Sequence, residues 1–292
     1  MADRIPSMRL SSGYNMPMLG LGTNNCSKVS EVGNIVRTAI QIGYRYIDTT
    51  SVHETQQEIG VTIKQLINDG RIKREELFIV TKLLILSQCH EPEQVLPACQ
   101  MSLEALNMDY IDLYLLQSPM VFTETERTKL TTTDFLDTWR AMEKLVDKGL
   151  VRSIGVSNFN KQQLERILKM DGLKYKPANN QVEITPSLCQ EELLQFSLQN
   201  GISTTGCEPC GTLGQTNISK DSHSCQEPIV AIANKYGKSA AQVILRWGIQ
   251  RGYAVVPGAT NTFCLVQSMD IFNFELCKDD MQAIKALDKD TE

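Results

Sequence analysis

The chain has 292 residues, 42% of them hydrophobic and 22% charged, and a formal net charge of −5. That is an ordinary globular composition, and with no basic run it offers no electrostatic footprint for nucleic acid. Its apolar runs are strand-length, as in LFIV from Leu77 to Val80, so none is long enough to cross a bilayer.

The opening MADRIPSMRLSSG lacks the apolar core of a signal peptide. Nine cysteines, an odd number, are scattered without framework spacing. Reduced thiols and a cytoplasmic location are therefore expected.

In chain order, MRLSSGYNMPML reads as a hairpin, two short runs flanking Ser-Gly-Tyr-Asn, that could plug the floor of a barrel. Eight strand-like runs follow: Met18 to Thr23, Tyr44 to Thr49, Leu77 to Leu83, Tyr110 to Leu116, Val151 to Ser157, Asn179 to Ile184, Ile202 to Gly206 and Tyr253 to Pro257. Helical periods lie between them. Val32, Ile35, Val36, Ala39 and Ile40 share one face, as do Phe135, Trp139, Met142, Leu145 and Val146, and glycines at 149 and 201 end helices. Eight strands each followed by a helix predict an α/β fold, a closed parallel (β/α)8 barrel with an N-terminal β-hairpin. No linker or charge run divides the chain, so residues 1–292 are read as one domain. The longest aperiodic segments, Ser118 to Thr132 and Cys207 to Cys225, follow strands four and seven and are expected on the catalytic face.

Several separated blocks agree in order and spacing: LGLGT, GYRYIDT with EIG downstream, LFIVTKL, LNMDYIDLYLLQSP, GLVRSIGVSNF, NNQVEI and VPGAT. Together they resemble the aldo-keto reductases over nearly the whole chain. The resemblance implies a (β/α)8 barrel, usually monomeric, in which NADPH gives hydride to an aldehyde or ketone. Hydride transfer to a carbonyl leaves an alkoxide, so a donor must supply a proton as charge develops.

The family uses a tyrosine for that, helped by a lysine–aspartate pair, with a histidine orienting the carbonyl. The aspartate and lysine positions are Asp48 and Lys82, both kept. The tyrosine position is His53, and the histidine position is Gln117 within LLQSP. An ordinary imidazole titrates near ~6.5, and a Lys82 cation beside it would disfavour a second positive charge. His53 is then neutral at pH 7 and a poor donor, unless Asp48 lies closer to it than to Lys82. Gln117 can serve a carbonyl as a neutral donor. A structural reading stands beside this one: Asp48 and Lys82 as a buried pair holding the barrel, with His53 bonded to it.

The cofactor positions implied by the resemblance are also altered. Where the family has a lysine, a serine and then an arginine after the last strand, this chain has Gly258, Ala259 and Cys264. Each lost charge-assisted bond is worth roughly 1.5–3 kcal/mol. In CEPCGTLG, Cys207 stands for a tyrosine that stacks on nicotinamide, and Glu208 puts a carboxylate where a diphosphate would lie. Thr23, Ser157, Asn158 and Gln181 are retained, whereas the pocket tryptophan after Thr23 is Asn24.

The pair Cys207 and Cys210, with His223 and Cys225, is a weak metal or dithiol signal, and no metal is expected. His90, next to Cys89, is expected in a solvated loop. At KALDKDTE the resemblance implies a further loop over the pocket, so an open mouth is expected. These changes together predict a catalytically impaired barrel, a small-molecule-binding or structural soluble protein. It would bind no cofactor or bind one weakly, NADP(H) if any, and could hold a small apolar or carbonyl-containing ligand. The alternative is a slow or specialised NADP(H)-dependent carbonyl reductase with His53 as proton donor.

Overall fold

The computed structural model describes residues 5–23, 29–50, 55–84, 90–120, 134–209, 227–259 and 261–289. Two short strands open it, β1 (Ser7–Arg9) and β2 (Asn15–Pro17), paired antiparallel. Eight parallel strands follow in sequential order: β3 (Gly20–Gly22), β4 (Tyr46–Asp48), β5 (Phe78–Leu83), β6 (Leu113–Leu116), β7 (Ile154–Ser157), β8 (Asn179–Glu183), β9 (Ser203–Cys207) and β10 (Ala254–Val256). The ring closes between its last and first strands, where Val255 N donates to Met18 O at 2.8 Å and Gly22 N donates to Pro257 O at 3.0 Å. Each predicted strand is found, trimmed at its ends except that β9 is shifted one residue on to Cys207, and the (β/α)8 class holds.

Helices α1 (Val29–Ile42), α2 (Gln56–Asn68), α3 (Pro92–Leu106), α4 (Phe135–Asp147), α5 (Lys161–Leu168), α6 (Glu191–Gln199), α7 (Glu227–Tyr236), α8 (Ala240–Gln250), α9 (Thr262–Met269) and α10 (Lys278–Lys285) surround the ring. Their predicted apolar faces are buried: Val32, Ile35, Val36, Ala39 and Ile40 on α1, and Phe135, Trp139, Met142 and Leu145 on α4. Asp134 starts α4 by accepting from Leu136 N at 3.0 Å. Gly149 stops the chain beyond α4 at φ +71°, a conformation in which a Cβ is costly. Among the described residues, no helix is long and apolar enough to cross a membrane.

Alternation along the strands sorts the core into two clusters. Ile47, Ile79, Tyr114 and Leu116 face the helices. Tyr46, Phe78, Val80, Leu113 and Leu115 fill the barrel interior with Val256. Leu10 and Met16 of the hairpin join this inner cluster, and Ser12 Oγ lies 2.7 Å from Ser153 Oγ. The predicted floor plug is thus present. A Cβ on Gly20 would sit 2.7 Å from the Tyr46 ring, so the LGLGT glycine makes room for that ring inside the barrel.

One prediction is corrected here. His90 is fully buried at the entry to α3 rather than solvated in a loop, and its backbone oxygen accepts from Thr138 Oγ1 at 2.7 Å. Among the described residues neither ring nitrogen makes a well-formed hydrogen bond, and the nearby Leu84 backbone opposes the effect of burial only weakly. Burial pushes the imidazole down to about 4, because the charged form cannot be solvated there. The folded value lies below the unfolded value of ~6.5, so the unfolded chain binds the proton first. Stability from the neutral ring is complete above about pH 6.5 and is lost as pH falls towards 4. In urea melts, His90→Leu is expected to shrink the difference in unfolding free energy between pH 7 and pH 4.5 by about 2 kcal/mol.

Candidate active site

The inward alternation that fills the barrel with Tyr46 and Val80 continues two residues on to Asp48 and Lys82. These are the charged side chains at the carboxyl ends of β4 and β5, above a largely apolar interior. Lys82 Nζ donates to Asp48 Oδ1 at 2.5 Å, with side chains only 5% and 4% exposed. Asp48 Oδ2 accepts from Gln181 Nε2 at 2.6 Å and lies 3.5 Å from Tyr46 OH. Burial and the nearby Asp48 charge raise the Tyr46 phenol well above its ordinary value, which keeps it a neutral O–H. The backbone oxygen of Asp48 is held by both Thr23 N, at 3.1 Å, and Thr23 Oγ1, at 3.0 Å. Removing one partner of such a buried pair leaves an uncompensated charge, at a cost of about 3–5 kcal/mol.

A second layer ties the neighbouring strand ends together. Ser157 Oγ and Asn158 N both donate to Gln181 O at 2.9 Å. Asn158 takes a left-handed φ of +62°, one that asparagine tolerates better than most residues, and its Nδ2 donates to Gln117 O at 3.0 Å. Above these groups lies a cavity of about 140 Å³, with Asp48, Lys82, Gln117, Asn158, Gln181 and Gly258 in its wall. Among the described residues, Gln117 Oε1 is buried there without a hydrogen-bond partner. An unsatisfied buried acceptor costs about 1–3 kcal/mol, which a bound molecule with an N–H group would relieve.

The rim formed by β9 and β10 is less polar. Burial pushes the Cys207 thiol up to about 12, against the opposing pull of Lys82. Glu208 follows at φ +47° and is exposed, so solvent and salt screen its repulsion towards a bound diphosphate. Gly258 forms a parallel bridge to Gly22, where a Cβ would stand 3.0 Å from Val256 O. Ala259 is buried. Cys264 is half-buried in the first turn of α9, its N–H capped by Asn261 Oδ1 at 3.0 Å.

The fold therefore brings Asp48, Lys82, Gln117, Ser157, Asn158, Gln181, Glu208 and Gly258 to one cavity. Thr23, Ala259 and Cys264 do not line it; Thr23 acts on the Asp48 backbone instead. His53, Asn24, Cys210, His223 and Cys225 lie outside the described residues. Tyr46 and Thr50 were missed from sequence, although the two-residue period makes Tyr46 share a face with Asp48.

The profile of the aldo/keto reductase family matches residues 18–289. Mouse aldo-keto reductase family 1 member D1 is 40% identical over 294 residues, covering 96% of this chain and 90% of that protein. Aldose reductase B of Dictyostelium discoideum is 38% identical, covering 94% and 89% respectively. Among solved structures, a Bombyx mori aldo-keto reductase in complex with NADP superposes with a TM-score of 0.89 at 34% identity, covering 99% of this chain and 94% of its own. An aldo-keto reductase complexed with NADPH gives the same TM-score at 31% identity, covering 97% and 88%.

These findings overturn the expectation of a catalytically impaired protein. The relatives are named as reductases and align nearly end to end, and both structural neighbours hold the nicotinamide cofactor. Physically, the expectation gave too much weight to Glu208, whose exposure weakens its field, and too little to the fully connected Asp48–Lys82–Gln181 network. The chain belongs to the aldo/keto reductase family.

Proposed function

We propose that this protein is an NADP(H)-dependent reductase of small aldehydes or ketones, acting as a single-domain monomer. The observation that carries this reading is the buried Asp48–Lys82 pair, locked by Gln181, at a cavity on the carboxyl ends of the barrel strands. When bound, the reduced nicotinamide supplies the hydride. Ser157, Asn158 and Gln181 would hold its carboxamide, and the partnerless Gln117 Oε1 suits an amide N–H. The same network keeps the Lys82 ammonium fixed beside the cavity, where its N–H groups stabilise negative charge building on a carbonyl oxygen. Donors already aimed need no reorganisation during the reaction.

The phosphate end is held more loosely. Neither Gly258 nor Cys264 carries charge, and among the described residues Lys82, already paired, is the only cation lining the cavity. Contacts to a 2′-phosphate would then rest on backbone amides and on the positive end of the α9 dipole, each weaker than a charge-assisted bond. We read the chain as discriminating little between NADPH and NADH, with a modest affinity for both.

Turnover is tested by the loss of NADPH absorbance with panels of aliphatic and aromatic aldehydes and ketones, and saturable oxidation is expected. If NADPH binds yet no carbonyl in the panel is reduced, the reading fails. Cofactor discrimination is tested by calorimetry on Gly258→Lys, which restores one cation. NADPH affinity is expected to rise about tenfold or more, with NADH affinity unchanged. An equal gain for both cofactors would show that position 258 does not meet the 2′-phosphate.

A further inference from the structure

We infer that the ε-ammonium of Lys82 itself delivers the proton to the reduced carbonyl oxygen, rather than acting through a neighbouring donor. This assignment rests on the reductase reading. Lys82 is the third inward residue of β5, after Phe78 and Val80, and it lines the cavity. An ammonium has three N–H bonds. Among the described residues Nζ has one partner, Asp48 Oδ1, and Lys82 lines the cavity, where an N–H bond can meet a bound molecule.

Other donors are poorly suited. Asp48 and Glu208 are the carboxylates of the cavity wall, and Asp48 is already engaged as an acceptor by Lys82 and Gln181. The Cys207 thiol is made a weaker acid by burial. Tyr46 is a phenol, but it lies beneath Asp48 in the inner apolar cluster and does not line the cavity. Position 53 lies outside the described residues, and the pH profile of the wild type decides between its imidazole and Lys82.

The step balances. As hydride from the reduced nicotinamide dinucleotide reaches the carbonyl carbon, the electron pair of the C=O π bond moves to oxygen. One N–H bond of Lys82 breaks, an O–H bond forms, and the N–H electron pair stays on Nζ. A primary ammonium is a far stronger acid than an alcohol, so the transfer runs downhill once the alkoxide has formed. Asp48, held by Gln181, then favours recharging of the amine from solvent, which restores the starting state.

The test is chemical rescue. Lys82→Ala is expected to lower kcat about a hundredfold or more. Added primary alkylamines should restore part of it, with rates that follow the acidity of each ammonium. Calorimetry should show that the variant still binds NADPH saturably. Lys82→Arg keeps the charge and the Asp48 contact, but a guanidinium does not give up its proton; its kcat should stay low, where a purely structural role would be rescued.

Wild-type kcat should cross the imidazole range near pH ~6.5 without a break, a readout that holds even if Lys82→Ala does not fold. Turnover by the wild type without amine rescue of a folded, NADPH-binding Lys82→Ala overturns the assignment alone. So does a break near that pH that vanishes in His53→Gln. Absence of turnover by the wild type on every carbonyl tried overturns the reductase reading, and this assignment with it.

Discussion

Two opposite charges buried together at the end of an apolar barrel govern this structure. Asp48 and Lys82 are almost wholly removed from water, so each is tolerable only because the other is 2.5 Å away. The pair also needs its remaining lone pairs and protons satisfied. That requirement draws Gln181 across from β8 and Tyr46 from below, while Thr23, at the end of β3, holds the Asp48 backbone oxygen. Contacts from one carboxylate thereby fix β4, β5 and β8 relative to one another. The room for the Tyr46 ring comes in turn from a missing side chain at Gly20. Catalytic geometry and barrel packing are here one set of constraints.

Much of this was legible from short local patterns. Short apolar runs located all eight strands, and the helical period found the buried faces of α1 and α4. The hairpin at the floor was visible in its turn residues, and Leu10 and Met16 insert as that reading requires. What stayed hidden was long-range. No local pattern reveals that Gln181 donates to Asp48, 133 residues away in sequence, or that Thr23 serves the backbone rather than the cavity. His90 was misread for a related reason. A histidine beside a cysteine between a strand and a helix looks like a loop residue until α4 is packed over it, with Thr138 on its carbonyl.

The misreading of function had a different origin. Position-by-position comparison treats each altered residue as one lost contribution and adds the losses. Contributions at a site are not additive in that way, because some groups act in the transition state and others only hold the bound molecules. His53 and Gln117 stand where the resemblance implies the chemistry, yet the Asp48–Lys82–Gln181 contacts behind them are in place, and groups bonded together in a dry site are worth more than the same groups taken singly. Glu208 looked prohibitive only while its environment was imagined as dry. On an exposed turn with a left-handed backbone it sits in solvent, where a unit charge loses most of its reach within a Debye length of about 8–10 Å.

On the proposed reading, a separation of roles explains how such a sequence would retain catalysis. Cations that grip a 2′-phosphate act equally on the ground state and the transition state, so their loss raises the cofactor concentration needed without touching the chemical step. The lysine and arginine that the resemblance implies where this chain has Gly258 and Cys264 would fall in that class. On the proposed reductase reading the Asp48–Lys82–Gln181 unit would fall in the other, because its donors would meet charge that exists only as the carbonyl is reduced. A chain that lets the first set drift while keeping the second loses affinity before it loses turnover. Its tolerance to change is graded along the bound cofactor, highest at the phosphate end and lowest where the barrel interior meets the cavity.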